Sequence, residues 1–122
     1  MHLVVDGHGG DYERLQDLDE VYQLLDRLPD RIEMTKIMPP YVFRYRGVKP
    51  EDWGVSGFVL IAESHIAVHT WPEFGYAAVD IFCCNMQADL QDAVDALAHR
   101  LRPGRVQTQE VARGEMPVAV KP

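Results

Sequence analysis

Hydrophobic and polar positions alternate along most of this chain with a period of two, and two stretches switch to the helical period. "HLVVDG" is a short apolar run ending in Asp-Gly, which predicts a strand into a turn. Leu18, Val21, Leu24, Leu25 and Leu28 then recur at helical spacing. Asp17 is the expected N-cap, Glu20 completes a capping-box pattern, and Pro29 marks the expected stop. Pro39 and Pro40 argue against a central strand, so the alternating "YVFRY" reads as an edge strand and "GVKPEDWG" as a loop. "GVSGFVLIAES" is dense in apolar and β-branched residues and predicts a central strand, which "HIAVHT" continues or pairs with. Pro72 to Gly75 predicts a turn, "YAAVDIFCC" a strand, and "RVQTQEVAR" a last strand. Between these two strands, Leu90, Val94, Leu97, Ala98 and Leu101 line one face of a second helix that ends at "RPG". The tail from Gly114 to Pro122 is expected to be loose. With no repeat or low-complexity segment, residues 1–122 read as one domain. The expected fold is α/β of the α+β kind: a two-layer sandwich, mainly antiparallel, with both helices on one face of the sheet.

Strand parity sorts the reactive residues of "AESHIAVHTWPEFGYAAVDIFCC". Val79, Ile81 and Cys83 share one face and predict core; Ala78, Asp80, Phe82 and Cys84 share the other and predict the wall of a site. Cys84 is therefore the thiol of chemical interest, and Cys83 a small core residue. His65, Ala67 and His69 oppose Ile66 and Val68. Ser64 has the parity opposite to His69, so one site using both needs a bend, a break or a change of partner; Ser56 has the same numerical parity as Ser64. His65 and His69 could reach a metal with Cys84 or Glu73, but no Cys-x-x-Cys or His-Glu-x-x-His spacing supports this, so no metal is expected.

Composition narrows the partners. Of the 122 residues, 47% are hydrophobic, enough for a core. A chain this short still buries only about two-thirds of its unfolded surface, which makes oligomerisation a natural supplement. A net charge of −7 opposes a nucleic-acid partner and suits a cationic small molecule. The two cysteines are adjacent, where a disulfide would be strained, and free thiols fit a cytoplasmic location. The N-terminus has no signal-peptide pattern and no apolar run is long enough to span a bilayer, so no membrane association is expected.

"GVSG" followed by "ESHIAVHTWPEFGYAAVDIFCC" closely resembles the prokaryotic short-chain S-adenosylmethionine decarboxylase proenzymes, densely from Gly54 to Cys84 and more loosely over the whole chain. The resemblance implies a pyruvoyl-dependent carboxy-lyase that matures by autocatalytic serinolysis between Glu63 and Ser64, giving fragments 1–63 and 64–122. It implies a pyruvoyl group derived from Ser64, which forms a Schiff base with the substrate amine and acts as an electron sink. Ser56 and His69 match the residues that assist self-cleavage, where an imidazole suits proton movement near neutral pH. Cys84 matches the proton donor, a role open to a thiol because it is largely protonated at neutral pH. Glu73 matches a carboxylate that accepts hydrogen bonds from the substrate ribose. The product would supply aminopropyl groups for spermidine synthesis, and the functional unit would be a homodimer of cleaved protomers with sites near the interface.

The chain departs from that family where an aromatic should precede the Gly-Val-Ser-Gly and stack on adenine. "RYRGVKPEDWG" stands there, leaving Phe43, Tyr45 or Trp53 as stacking surfaces. The alternatives are decarboxylation of L-arginine or L-ornithine, with Glu51, Asp52, Glu73 or Asp80 meeting the distal cation, and an unprocessed homologue that only binds a ligand or partner.

Overall fold

The computed structural model describes residues 1–84, 90–113 and 119–121; residues 114–118 and 122 of the expected tail lie outside the described residues. Six strands are described: β1 (His2–His8), β2 (Tyr41–Arg46), β3 (Trp53–Ile61), β4 (Ser64–Trp71), β5 (Tyr76–Phe82) and β6 (Arg105–Val111). They form one sheet in the order β2-β3-β4-β5-β1-β6, with every pairing antiparallel. β2 is an edge strand, as Pro39 and Pro40 just before it led one to expect, and β6 is the other edge.

Helices α1 (Tyr12–Leu15), α2 (Leu18–Arg31) and α3 (Leu90–Leu101) and a 3-10 turn (Pro72–Phe74) complete the described elements. The core is one layer thick. Val21, Leu24, Leu25 and Leu28 of α2 and Ala93, Leu97 and Leu101 of α3 pack onto Leu3, Val5, Val55, Val59, Ile66, Val68, Val79 and Ile81. Two glycines of the Gly-Val-Ser-Gly run are fixed by close approach. A Cβ on Gly54 would lie 1.8 Å from the Thr70 carbonyl oxygen, and one on Gly57 would lie 2.9 Å from both Leu25 Cδ1 and Val42 Cγ2.

Several helix details differ from expectation. The Asp17 side chain caps α2 by accepting from the Asp19 and Glu20 amides. Glu20 does not reach back: Arg14, at 2.9 Å, and Arg100, at 3.3 Å, hold its carboxylate, so the capping box is half formed. Pro29 does not stop the helix, which runs on to Arg31. Placed two residues from the end, it costs one hydrogen bond while its ring is buried. Leu18 is 40% exposed because it precedes the turn that meets the core, and Ala93 rather than Ala98 is buried on α3. The four-residue α1 was not foreseen; Asp11 caps it.

"GVSGFVLIAES" is not one strand. β3 ends at Ile61, Ala62 and Glu63 form a two-residue turn, and Ser64 opens β4, so "HIAVHT" pairs with β3 and does not continue it.

Candidate active site

Glu63 has φ 62°, in the left-handed region that side chains larger than glycine's rarely adopt. Ala62 before it has negative φ. A left-handed residue only in second place is the type II pattern, whose twist does not match the hairpin it closes. The peptide between Glu63 and Ser64 is thus placed at a strained corner. Its carbonyl oxygen accepts a hydrogen bond from Cys84 Sγ at 2.8 Å. The Ser64 hydroxyl oxygen accepts from the Cys84 backbone N–H at 3.1 Å. Cys84 follows the end of β5 and is exposed, whereas Cys83 is buried, as parity predicted, and no disulfide joins them.

Ser56 and His69 form a second group. They are register partners on β3 and β4, and Ser56 Oγ lies 2.9 Å from His69 Nδ1. Partners across an antiparallel pair share a face, so Ser56 sides with His69; matching numerical parity with Ser64 does not carry across the hairpin. A cleft of about 460 Å³ lies over this pair, lined by Phe43, Tyr45, Ser56, His69, Thr70 and Trp71. Glu73 is exposed in the 3-10 turn Pro72–Phe74 just beyond Trp71.

The two groups do not meet within one chain. Ser64 and His69 sit five residues apart on β4, about 16 Å at ~3.3 Å per residue. The expected bend or break between them is not there: β4 runs unbroken from Ser64 to Trp71. Ser64 with Cys84 occupies one end of the sheet, and Ser56 with His69, the aromatic cleft and Glu73 the other.

A third cluster borders the Ser64 end. The Asp80 carboxylate bonds His2 Nε2 and lies 3.5 Å from His65 Nε2. The Arg113 guanidinium donates to His2 Nδ1 at 3.0 Å, which leaves the His2 proton on Nε2, toward Asp80. His65 stacks on Phe82. The alternation of His2, Val4, Asp6 and His8 along β1 carried the signal for this cluster. Among the described residues no group of three or more His, Cys, Asp or Glu side chains is placed to hold a metal ion.

Comparison with known proteins was then decisive. The family model described as S-adenosylmethionine decarboxylase matches residues 1–114. The chain belongs to that family. It is 34% identical over 116 residues to the S-adenosylmethionine decarboxylase proenzyme of Thermoplasma acidophilum, covering 95% of this chain and 84% of that one. It is 35% identical over 113 residues to that of Pyrococcus abyssi, covering 93% and 77%. The crystal structure of the Aquifex aeolicus adenosylmethionine decarboxylase superposes with a TM-score of 0.80 at 28% identity, over 99% of this chain and 95% of that one.

In this member of the S-adenosylmethionine decarboxylase family the aromatics sort by face. Phe43 and Tyr45 lie over the Ser56–His69 cleft. Trp53 shares the other face with Val55, meets Tyr12 edge-on and carries the Arg44 guanidinium over its ring, so it is withdrawn from the cleft. Asp80 is engaged by two imidazoles, and Glu51 and Asp52 lie in the β2–β3 loop. No described helix is long and apolar enough to cross a membrane.

Proposed function

We propose that this chain is an S-adenosylmethionine decarboxylase that makes its catalytic pyruvoyl group from Ser64, and whose product is an aminopropyl donor for spermidine synthesis. One observation carries the reading: the Glu63–Ser64 corner, with its left-handed residue, its carbonyl bonded by a thiol and its hydroxyl held by a backbone N–H. A left-handed non-glycine residue stores about 1–3 kcal/mol, and each 1.4 kcal/mol released on the way to the transition state is about tenfold in rate.

The chemistry of self-cleavage follows from those atoms. Ser64 Oγ attacks the Glu63 carbonyl carbon; the Cys84 thiol stabilises the oxygen as it gains charge; the C–N bond breaks as the Ser64 hydroxyl proton passes to the nitrogen, which becomes a free amine. The resulting ester links residues 1–63 to the Ser64 side chain. Removal of the Ser64 α-proton expels the Glu63 carboxylate, and hydrolysis of the remaining dehydroalanine, with loss of ammonia, leaves the pyruvoyl group at the head of 64–122. The site fits that group, because the Cys84 N–H that holds Ser64 Oγ is an available donor for an oxygen. When present it supplies an electron sink for loss of the substrate carboxylate. Cys84 is then placed to return a proton to the substrate α-carbon.

His69 and Ser56 are the proton-moving pair of cleavage, and their distance from Ser64 in one chain is the argument for a homodimer in which each copy completes the other's site. The open sheet face is where the second copy seats: Tyr41, Phe43, Tyr45, Phe58 and Leu60 are each 38–57% exposed on it. Phe43 or Tyr45 provides the adenine surface, and Glu73 the acceptor for ribose hydroxyls.

The test is intact mass followed by carbon dioxide release. The purified chain is expected to split into 1–63 and 64–122 and to release carbon dioxide from S-adenosylmethionine but not from arginine or ornithine. Release only from a basic amino acid, or a chain that stays whole and inert, overturns the reading.

A further inference from the structure

We propose that Lys36 is a positioning residue for self-cleavage: through its bond to Asp26 it holds a strap, residues 34–37, that keeps the scissile turn in its strained form. This rests on the self-cleavage reading above and adds to it a residue outside the reacting atoms.

The strap begins where α2 ends. Glu33 is left-handed, at φ 57°; its N–H donates to Asp30 O at 3.2 Å and the Met34 N–H to Pro29 O at 2.8 Å. This is the Schellman pattern with glutamate in the place glycine normally takes. It turns the chain back along β3. The Ile37 N–H donates to Leu60 O at 3.2 Å, Lys36 bridges Ile61, and the Ala62 N–H donates to Thr35 O at 3.1 Å. The last of these ties the first residue of the turn directly. Lys36 Nζ then donates to Asp26 Oδ1 at 2.5 Å, and Asp26 rides on a helix anchored by Val21, Leu24, Leu25 and Leu28, each no more than 1% exposed.

The mechanical sense follows from the turn. A type II pattern does not match hairpin twist and holds a glutamate at positive φ, so an unheld Ala62–Glu63 corner relaxes by letting Glu63 leave the left-handed region. Cys84 grips it from the Ser64 side and the strap from the Ala62 side. The Lys36 and Asp26 side chains are 28% and 35% exposed. Pairs that exposed add little to global stability. Loss of the pair is therefore felt at the turn and not in the fold.

The experiment follows conversion of freshly made, uncut chain into two fragments. Lys36→Met and Asp26→Asn are each expected to slow it by about fivefold. Melting temperature should move by no more than about 2 °C. Lys36→Arg and the reversed pair Lys36→Asp with Asp26→Lys should recover most of the rate. Ala62→Pro is a second route: proline suits the first turn position and removes only the N–H that Thr35 accepts, so it too should slow the split. In uncleavable Ser64→Ala chains, Lys36→Met should speed hydrogen exchange at the Ala62 amide. Rates and exchange equal to the unaltered chain's, or slowing that tracks loss of melting temperature without recovery in the reversed pair, overturn the strap alone. An unaltered chain that never splits overturns the self-cleavage reading and the strap with it.

Discussion

The two faces of the sheet are made from the same strands by the same alternation, yet they are built for different work. On the helix side Leu3, Val5, Val55, Val59, Ile61, Ile66, Val68, Val79 and Ile81 are each no more than 3% exposed and purely aliphatic. On the other side the register sets residues in cross-strand rows: Leu60–His65–Phe82–His2, then Phe58–Ala67–Asp80–Val4, then Phe43–Ser56–His69–Ala78–Asp6, then Trp71–Tyr76, with the His8 ring stacked on Tyr76. Imidazoles, carboxylates, a serine and aromatics concentrate there, and no described helix covers them. One face has only to exclude water. The other carries Ser56, His69 and the His2–Asp80–His65 cluster, while Ser64 pairs with Ile61 on the helix side at the far end of β4, so the chemistry is divided between the two ends of the sheet.

That division gives the test of largest effect. Chains carrying Ser64→Ala and chains carrying His69→Ala are each expected to remain whole when made alone. Made together and paired at random, about half of the His69→Ala chains should split, because half have a partner that supplies His69. Intact mass of the mixture reads this directly. No cleavage in mixed samples means that a single chain reaches its own His69, which the unbroken β4 opposes.

Neighbours in one hairpin give the next contrast. Ile66 is wholly buried on the helix face, and Leu60 is 41% exposed on the open face. Ile66→Ala is expected to cost about 2–5 kcal/mol by urea denaturation at any protein concentration. Leu60→Ala should cost under about 1 kcal/mol in the separated chain and show its effect as weaker self-association, so that its destabilisation grows on dilution. Equal, concentration-independent losses for both would remove the distinction between core face and docking face.

The helix face was legible in the sequence because a period of two reports it directly: Val79, Ile81 and Cys83 against Asp80, Phe82 and Cys84 fell as parity placed them. The turn at Ala62–Glu63 was not. A chain that turns normally advertises it with Gly, Asn, Asp or Pro, and "VLIAESHIAV" has none of them. A glutamate forced into the left-handed region leaves no local sign, so the sequence left open whether "HIAVHT" continues the strand before it or pairs with it. The ambiguity falls where local preference is overridden, as is expected of a functional site. The siding of Ser56 with His69, and the distance of both from Ser64, depend on register, which a residue number does not carry. Pro29 and Glu20 failed for another reason: tertiary partners, the buried ring pocket and Arg14 with Arg100, outweighed the local helix signals.

The smallest expected effect probes how the open face holds its polar groups. The Tyr76 hydroxyl donates to Asp6 Oδ1 at 2.5 Å, with the Tyr76 ring stacked between His8 and Trp71. The Asp6 hydrogen bond, and then burial, push the Tyr76 phenol above its ordinary value of 10.0. Its folded form thus keeps a proton that the unfolded chain releases. Where the folded state binds more protons, stability falls as pH rises. The contribution is therefore whole below about pH 10 and lost as pH climbs through the raised value. Tyr76→Phe removes the donor and this pH dependence together. Between pH 8 and pH 11 the variant's melting temperature should fall less than the unaltered chain's, and at pH 8 the variant should be slightly the less stable of the two. Ile66 is apolar and wholly buried, so Ile66→Ala should shift the melting temperature by a nearly constant amount across the same range. Parallel curves for Tyr76→Phe would mean that the phenol and carboxylate do not share a proton-dependent bond, and that ring stacking alone holds Tyr76 in place.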